Sequence, residues 1–126
     1  MRYVLDSTFL IDHLRSVPAA VARLGSMYLA GDDPIVSSVS VAEVWAGRRS
    51  EGDPAIEAML RYIEYVHPGP PTARLAGEWR AQARESGRTL DTPDALIAAT
   101  AFDLDAAVLT RNVRDFELTP VRIETY

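Results

Sequence analysis

The sequence contains no cysteine and no lysine, and each absence narrows the chemistry that is open to it. Without cysteine there is neither a disulfide framework nor a thiolate metal site. All 13 basic residues are arginine, which excludes mechanisms that depend on a lysine amine. No apolar run approaches the length of a membrane span, and the opening residues lack the apolar core of a signal peptide. We therefore expect a cytoplasmic protein that does not enter a membrane.

The composition is that of an ordinary globular domain, with 48% hydrophobic and 25% charged residues among 126. This length predicts one domain that spans residues 1–126. The formal net charge is −5, so the protein as a whole repels nucleic acid. Binding to RNA or DNA would therefore need a local patch of arginine.

Apolar runs and turn residues predict strands that alternate with helices. Strands are expected at residues 2–5, 34–38, 63–66, 106–109 and 121–125. Helices are expected at residues 8–15, 19–29, 40–49, 55–61 and 72–86, and in a last helix that begins near residue 92. This alternation is typical of an α/β fold with a mostly parallel sheet of four to five strands and helices on both faces.

Two helix starts are suggested by capping patterns. Ser40 and Glu43 have the S-x-x-E spacing of a capping box, which predicts that a helix opens at Ser40. Thr92 is expected to cap the last helix, with Pro93 at the first helical position. That last helix is apolar on almost every side, so we expect it inside the protein, with Asp94 facing inward or into a cleft.

Acidic residues follow the predicted strands. Asp6 ends the first strand, Glu43 follows the second, and Asn112 and Asp115 follow the fourth. The carboxyl ends of parallel strands share one edge of the sheet, where sites form, and Asp94 can reach the same edge. Taken alone, each acid is explained at least as well by a structural role, as a helix cap or a favourable charge at a helix start, and for Glu43 the capping box is the better explanation. Their combination is what suggests a site.

Gathered carboxylates need a cation. Two of them about 4 Å apart repel by roughly 4 kcal/mol at an effective dielectric of about 20. Oxygen ligands without sulfur favour Mg²⁺ or Mn²⁺, an ion suited to phosphate chemistry. Four further acids are interpreted as solvated or capping residues outside this site: Asp12, Asp91, Asp103 and Asp105.

The arginines are the candidates for phosphate contacts around such an acidic centre. Ordinary solvated helix faces are the alternative for each of them. The arginines in question are Arg80 and Arg84 on one predicted helix, with Arg88 following, and Arg48, Arg49, Arg111 and Arg114.

Four segments together resemble the PIN-domain family, at residues 6–11, 40–43, 94–101 and 109–116. Within that family they are similar to the VapC toxins of bacterial toxin–antitoxin pairs. The resemblance covers nearly the whole chain. It implies a PIN-like three-layer fold and an endoribonuclease that uses Mg²⁺ or Mn²⁺ and water to cut RNA.

The same resemblance implies roles for individual residues. Asp6, Glu43 and Asp94 would be the core metal ligands, and Thr8 or Ser7 would hydrogen-bond to ligands or to metal-bound water. We favour Asp115 over Asn112 as the fourth acidic contributor. Asn112 would then fix geometry or touch the metal through water.

The family further implies a homodimer and a cognate antitoxin whose segment covers the acidic groove. The tail at residues 117–126 is expected not to touch the motifs. A receiver domain or a dehalogenase-like phosphatase would need a lysine, and the latter would also need an acid where Thr8 stands. A non-catalytic PIN-fold module that binds RNA or protein remains the alternative function.

Overall fold

The computed structural model describes all 126 residues and contains five strands, six α-helices and one 3₁₀ helix. The strands are β1 (Arg2–Leu5), β2 (Asp33–Ser37), β3 (Glu64–Val66), β4 (Ala107–Leu109) and β5 (Ile123–Glu124). The helices are α1 (Ser7–Leu14), α2 (Pro18–Ala30), α3 (Ser38–Ala46), α4 (Pro54–Leu60), α5 (Pro70–Glu85), α6 (Thr92–Asp103) and the 3₁₀ helix (Val113–Phe116). None of these helices has the length and apolarity that crossing a membrane would require.

The strands form one sheet in the order β3-β2-β1-β4-β5, and every neighbouring pair is parallel. The predicted α/β architecture is thus confirmed, with five strands. β1 lies at the centre, where Val4 pairs with Ile35 on one side and with Val108 on the other. All three side chains are fully buried, as expected for a parallel sheet that is covered on both faces.

The sheet divides the interior into two cores, since successive side chains of a strand point to opposite faces. Val4 belongs to one core, which includes Trp79 of α5 and the apolar side of α6. Leu5, the next residue, belongs to the other, with Phe9 of α1 and Met27 of α2. Helices on both sides of one sheet give the three-layer arrangement.

α6 is the buried helix that its composition predicts. Ala95 and residues 97–101 are shielded from solvent, and most of these side chains are alanine, which lets neighbouring elements approach closely. Its main helical partner is α5, whose buried face carries Ala76, Trp79 and Ala83. Because α6 packs between α5 and the sheet, the direction of its first turn, which carries Asp94, is fixed.

Both predicted helix caps are wrong by one to three residues. α3 begins at Ser38, and Ser37 is its N-cap, whose Oγ accepts from the main-chain N–H of Ser40 at 3.4 Å. The helix ends at Ala46, short of residue 49. β2 runs directly into α3, so its last extended residue reaches the free N–H groups before Ser40 can. Ser40 lies inside the helix, and its own buried hydroxyl has no partner.

The start of α6 shows the same kind of shift. Asp91 is the N-cap and Thr92 is already helical, so Pro93 occupies the second helical position. No side chain caps this helix start by a hydrogen bond. Pro93 lacks an N–H group, which leaves one fewer donor that a cap would have to satisfy.

Candidate active site

A cleft with a volume of about 510 Å³, lined mostly by polar and charged residues, opens at the carboxyl edge of the sheet. It is walled by the ends of β1, α3 and α6 and by the segment that follows β4. The structure places all four predicted acids here, together with all three predicted supporting residues. The lining residues are Asp6, Ser7, Thr8, Glu43, Arg80, Asp91, Thr92, Pro93, Asp94, Asn112 and Asp115.

Asp6 is the most firmly held acid of the cleft. It is 3% exposed, and its carboxylate accepts from the Ser7 N–H at 2.8 Å and from the Thr8 hydroxyl at 2.9 Å. As the N-cap of α1 it adopts extended backbone angles, so its side chain turns back toward the first turn of the helix. Its own N–H continues the sheet by donating to the Leu109 carbonyl at 3.0 Å.

Thr110 is a site residue that the sequence reasoning missed. It is completely buried at the end of β4, and its hydroxyl donates to Asp6 Oδ2 at 2.8 Å. The same hydroxyl accepts from the Asn112 N–H at 2.9 Å. The feature that could have revealed this contact is the pairing of β1 with β4. Leu5 stands opposite Leu109, which brings the next residue of each strand side by side.

The remaining acids share a strongly negative environment. Burial raises the pKa of Glu43, and the charge of Asp6 raises it further, although a hydrogen bond with Ser7 acts in the opposite direction. Burial raises the pKa of Asp94 to about 7, and Asp115, then Asp6, Asp91 and Glu43, add to this rise. A partly buried carboxyl beside several carboxylates resists ionisation until a proton or a cation compensates the negative charge.

Asp91 therefore contributes to the cleft, although the sequence suggested only an exposed or capping acid. It is the exposed N-cap of α6, which agrees with that interpretation. It also lines the cleft, and its charge acts on Asp94. Asp91 can both cap α6 and line the cleft, because α6 begins at the cleft.

The donor chemistry of the cleft fits a hard divalent cation. Every ligand group available is oxygen, and the chain has no thiolate to attract a softer metal. In the arrangement seen here, no three of the acids converge closely enough to form a ready-made cage. Mg²⁺ does not require one, since it commonly keeps several waters and binds through one or two carboxylates.

The candidate arginines are placed unequally. Arg80 lines the cleft, where its Nε donates to the Leu90 carbonyl at 2.9 Å. Arg84 and Arg88 join Arg80 around a small adjacent hollow of about 60 Å³. Arg114 is exposed on the 3₁₀ helix, whereas the side chain of Arg111 turns away from the cleft toward α1.

Two sequence interpretations fail at α1. Asp12 is not a solvated acid: it is 4% exposed and accepts from Arg111 Nη1 at 2.6 Å. The tail does touch a motif, because the Tyr126 ring packs edge-on against Phe9 with centroids 5.0 Å apart. The segment after β4 brings Arg111 to Asp12, and the pairing of β5 with β4 places the tail that follows β5 near α1.

A parallel sheet with an acidic cleft at its carboxyl edge is the arrangement expected of a PIN domain. Residues 3–120 match the family model for the PIN domain, and the chain belongs to that family. A more specific likeness is to Ribonuclease VapC19 from Mycobacterium tuberculosis. The two are 36% identical over 93% of this chain and 94% of that protein.

Solved structures of toxin–antitoxin complexes contain chains with the same fold. VapBC-1 from nontypeable Haemophilus influenzae superposes with a TM-score of 0.83 at 25% identity, covering 99% of this chain and 98% of that one. VapBC2 from Rickettsia felis gives a TM-score of 0.87 at 21% identity, covering 100% and 99%. At 21% identity, the likeness to VapBC2 shows a shared fold only.

Proposed function

We propose that this chain is the endoribonuclease toxin of a VapBC-type toxin–antitoxin pair, hydrolysing RNA phosphodiester bonds with a metal-activated water. One observation carries the proposal: four acids from four separate segments meet in one polar cleft. Identity of 36% to a named VapC ribonuclease supports the reaction class. Residues 1–126 would act as a single PIN domain, since one sheet supports both of its cores.

Mg²⁺ or Mn²⁺ would be held by Asp6, Glu43 and Asp94. Such an ion supplies an activated water and neutralises charge on phosphoryl oxygens when it is bound. Asp6 suits the role of a fixed ligand, because its orientation is set by donors on both flanking segments. Thr8 and Ser7 support Asp6 in this role, because the Thr8 hydroxyl and the Ser7 main-chain N–H both donate to its carboxylate.

Asp115 is our choice for the fourth acidic contributor. After burial, its charge is the largest cause of the raised pKa of Asp94, ahead of the charge of Asp6. Asp115 and Asp94 also line the same cleft. Asn112 also lines the cleft, and its main-chain N–H holds the Thr110 hydroxyl that contacts Asp6. We assign Asn112 a supporting role.

Arginine side chains would bind the phosphates of RNA at this acidic cleft. Arg80 is the best placed, because it lines the cleft itself, and Arg84 extends the positive charge along α5. Neither forms an ion pair with an acid of the chain, so their charges are available for phosphate. Arg114 is a further exposed candidate. Arg111 is the weakest, since its guanidinium is already paired with Asp12.

The cognate partner would be a VapB-like antitoxin. Support comes from VapBC-1 of Haemophilus influenzae, and from the FitAB complex, a structural match with a TM-score of 0.80 at 26% identity. We also propose a homodimer acting in the cytoplasm, where RNA is available. Light scattering on the isolated chain should then give a mass near twice 13.9 kDa.

The decisive test uses the chain purified free of antitoxin. Incubated with a structured RNA, it should cleave in Mg²⁺ or Mn²⁺ and stop when EDTA is added. The Asp94→Asn variant, prepared in the same way, controls for a contaminating nuclease. RNA that is retained by the protein but never cut would instead support the non-catalytic binding module.

A further inference from the structure

A three-residue network lies beside the cleft and contains none of the acids assigned to the metal. Asp12 of α1 is at its centre and is almost completely buried. Its Oδ1 accepts from Arg111 Nη1 at 2.6 Å, and its Oδ2 accepts from the Tyr126 hydroxyl at 2.7 Å. The partners come from positions 99 and 114 residues further along the chain. A buried carboxylate with both oxygens satisfied is a fixed point in the fold.

Arg111 connects this network to the site through its main chain. Its N–H donates to the Thr8 hydroxyl at 3.2 Å, and that hydroxyl donates to Asp6 at 2.9 Å. Arg111 also stands between Thr110, which donates to Asp6, and Asn112, which lines the cleft. The turn at residues 110–112 belongs to no helix or strand, so such contacts decide where it lies.

Tyr126 is held in place at the far end of the network. Its ring packs edge-on against Phe9, which is fully buried in the core under α1. Burial and the hydrogen bond to Asp12 raise the pKa of Tyr126, so its hydroxyl remains protonated and able to donate at neutral pH. The tyrosine therefore limits the freedom of Asp12, which in turn limits that of Arg111.

We propose that Tyr126 is a positioning residue, acting through Asp12 and Arg111 to hold the 110–112 turn against Asp6. The proposal rests on the ribonuclease function proposed above. Tyr126 is not among the residues that line the cleft. Its effect is to keep the Thr110 hydroxyl and Asn112 in the geometry that the reaction needs.

The test removes only the hydroxyl. Tyr126→Phe keeps the ring that packs on Phe9, and Tyr62→Phe is the matched control, because Tyr62 is 77% exposed. We expect Tyr126→Phe to lower kcat about tenfold with little change in KM, since small displacements at a catalytic site slow chemistry more than binding. The control should match the unmodified protein.

A second readout does not depend on cleavage. The amide ¹H–¹⁵N signals of Arg111 and Asn112 should shift in Tyr126→Phe and stay in place in Tyr62→Phe. Asp12→Asn should shift the same signals. Combining it with Tyr126→Phe should lower kcat by less than the product of the two single effects, because both act through one network.

The outcomes distinguish this proposal from the ribonuclease function on which it rests. Unmoved amide signals and an unchanged kcat in Tyr126→Phe, with a lower melting temperature alone, would show a purely structural contact and overturn the inference. Shifted signals in a protein that never cleaves RNA would leave the network standing and reject the ribonuclease function.

Discussion

Asp6 and Asp94 lie in the same cleft, but the fold treats them in opposite ways. Asp6 is 3% exposed and accepts hydrogen bonds from Ser7, Thr8 and Thr110. Asp94 is half-buried, and no hydrogen-bond donor is among the causes that set its pKa near 7. Every cause either removes water from Asp94 or adds negative charge beside it.

This difference follows from where the two acids sit. Asp6 leaves the central strand, so it meets the end of β4 and the first turn of α1, both of which offer donors. Asp94 lies within the first helical turn and faces a space bordered by other acids. One acid is thus fixed by the protein, whereas the other is left for a cation or a proton to satisfy.

The largest expected effect separates activity from stability. Asp6→Asn and Asp94→Asn should each reduce RNA cleavage to background. Asp6→Asn should also lower the free energy of unfolding by about 1–3 kcal/mol, because one carboxylate oxygen becomes an NH2 group that cannot accept from the buried donors around it. Asp94→Asn should raise it at alkaline pH, because repulsion is relieved. Urea denaturation in EDTA beside a cleavage assay measures both quantities. Stability changes of the same sign would end the contrast between the two acids.

The second prediction concerns Thr110, whose hydroxyl at the end of β4 donates to Asp6. Thr110→Val should slow cleavage about tenfold to a hundredfold, as expected when a group that orients a ligand is lost. Thr100→Val is the matched control, because Thr100 is equally buried and its hydroxyl donates only to the Leu96 carbonyl. Cleavage rates and melting temperatures of both variants decide the point. Equal rates would show that Asp6 holds its position without Thr110.

The third prediction is a pH dependence that belongs to Asp94 alone. Its pKa of about 7 in the folded protein lies above the ordinary 3.8, so the folded state binds the proton more tightly than the unfolded state. The stability this confers is complete below pH 3.8 and is lost as the pH rises through about 7. With a discount for solvent screening, the loss is about 1–2 kcal/mol for the metal-free protein.

Denaturation curves in EDTA at a series of pH values test this. The difference in stability between Asp94→Asn and the unmodified chain should grow as the pH rises. Glu51→Gln, which removes an exposed acid away from the cleft, should follow the unmodified protein. A constant difference for Asp94→Asn would mean that its carboxyl is not perturbed. Added Mn²⁺ should stabilise the protein more at alkaline than at acid pH, because ligands must be deprotonated to bind.

The smallest expected effect lies on the wall of the cleft next to Asp94. Arg80→Ala should raise KM for RNA a few-fold and flatten its dependence on salt, because one phosphate contact is lost. Arg74→Ala is the control on the same helix, since Arg74 is exposed and already paired with Glu78. Measuring KM at two salt concentrations suffices. Equal changes in both variants would assign the effect to the general charge of α5.

Much of the fold was predictable because periodicity and turn residues are local signals. The buried β1, the apolar α6 and the end of α2 at Gly31, which adopts a left-handed conformation, follow from neighbouring residues alone. The two helix caps were misplaced for the same reason. A serine or threonine near a helix start looks alike at several positions, and the preceding strand decides which N–H groups are free.

By itself, the sequence determined which elements form and that acids follow the strands of a parallel sheet. The lack of cysteine and lysine also limited the chemistry before any fold was known. Only the tertiary structure decided that Thr110 holds Asp6 and that Asp12 is buried against Arg111 and Tyr126. These partners are about a hundred residues apart. No local pattern links them, since their contact depends on strand register and on how α1 packs across the sheet.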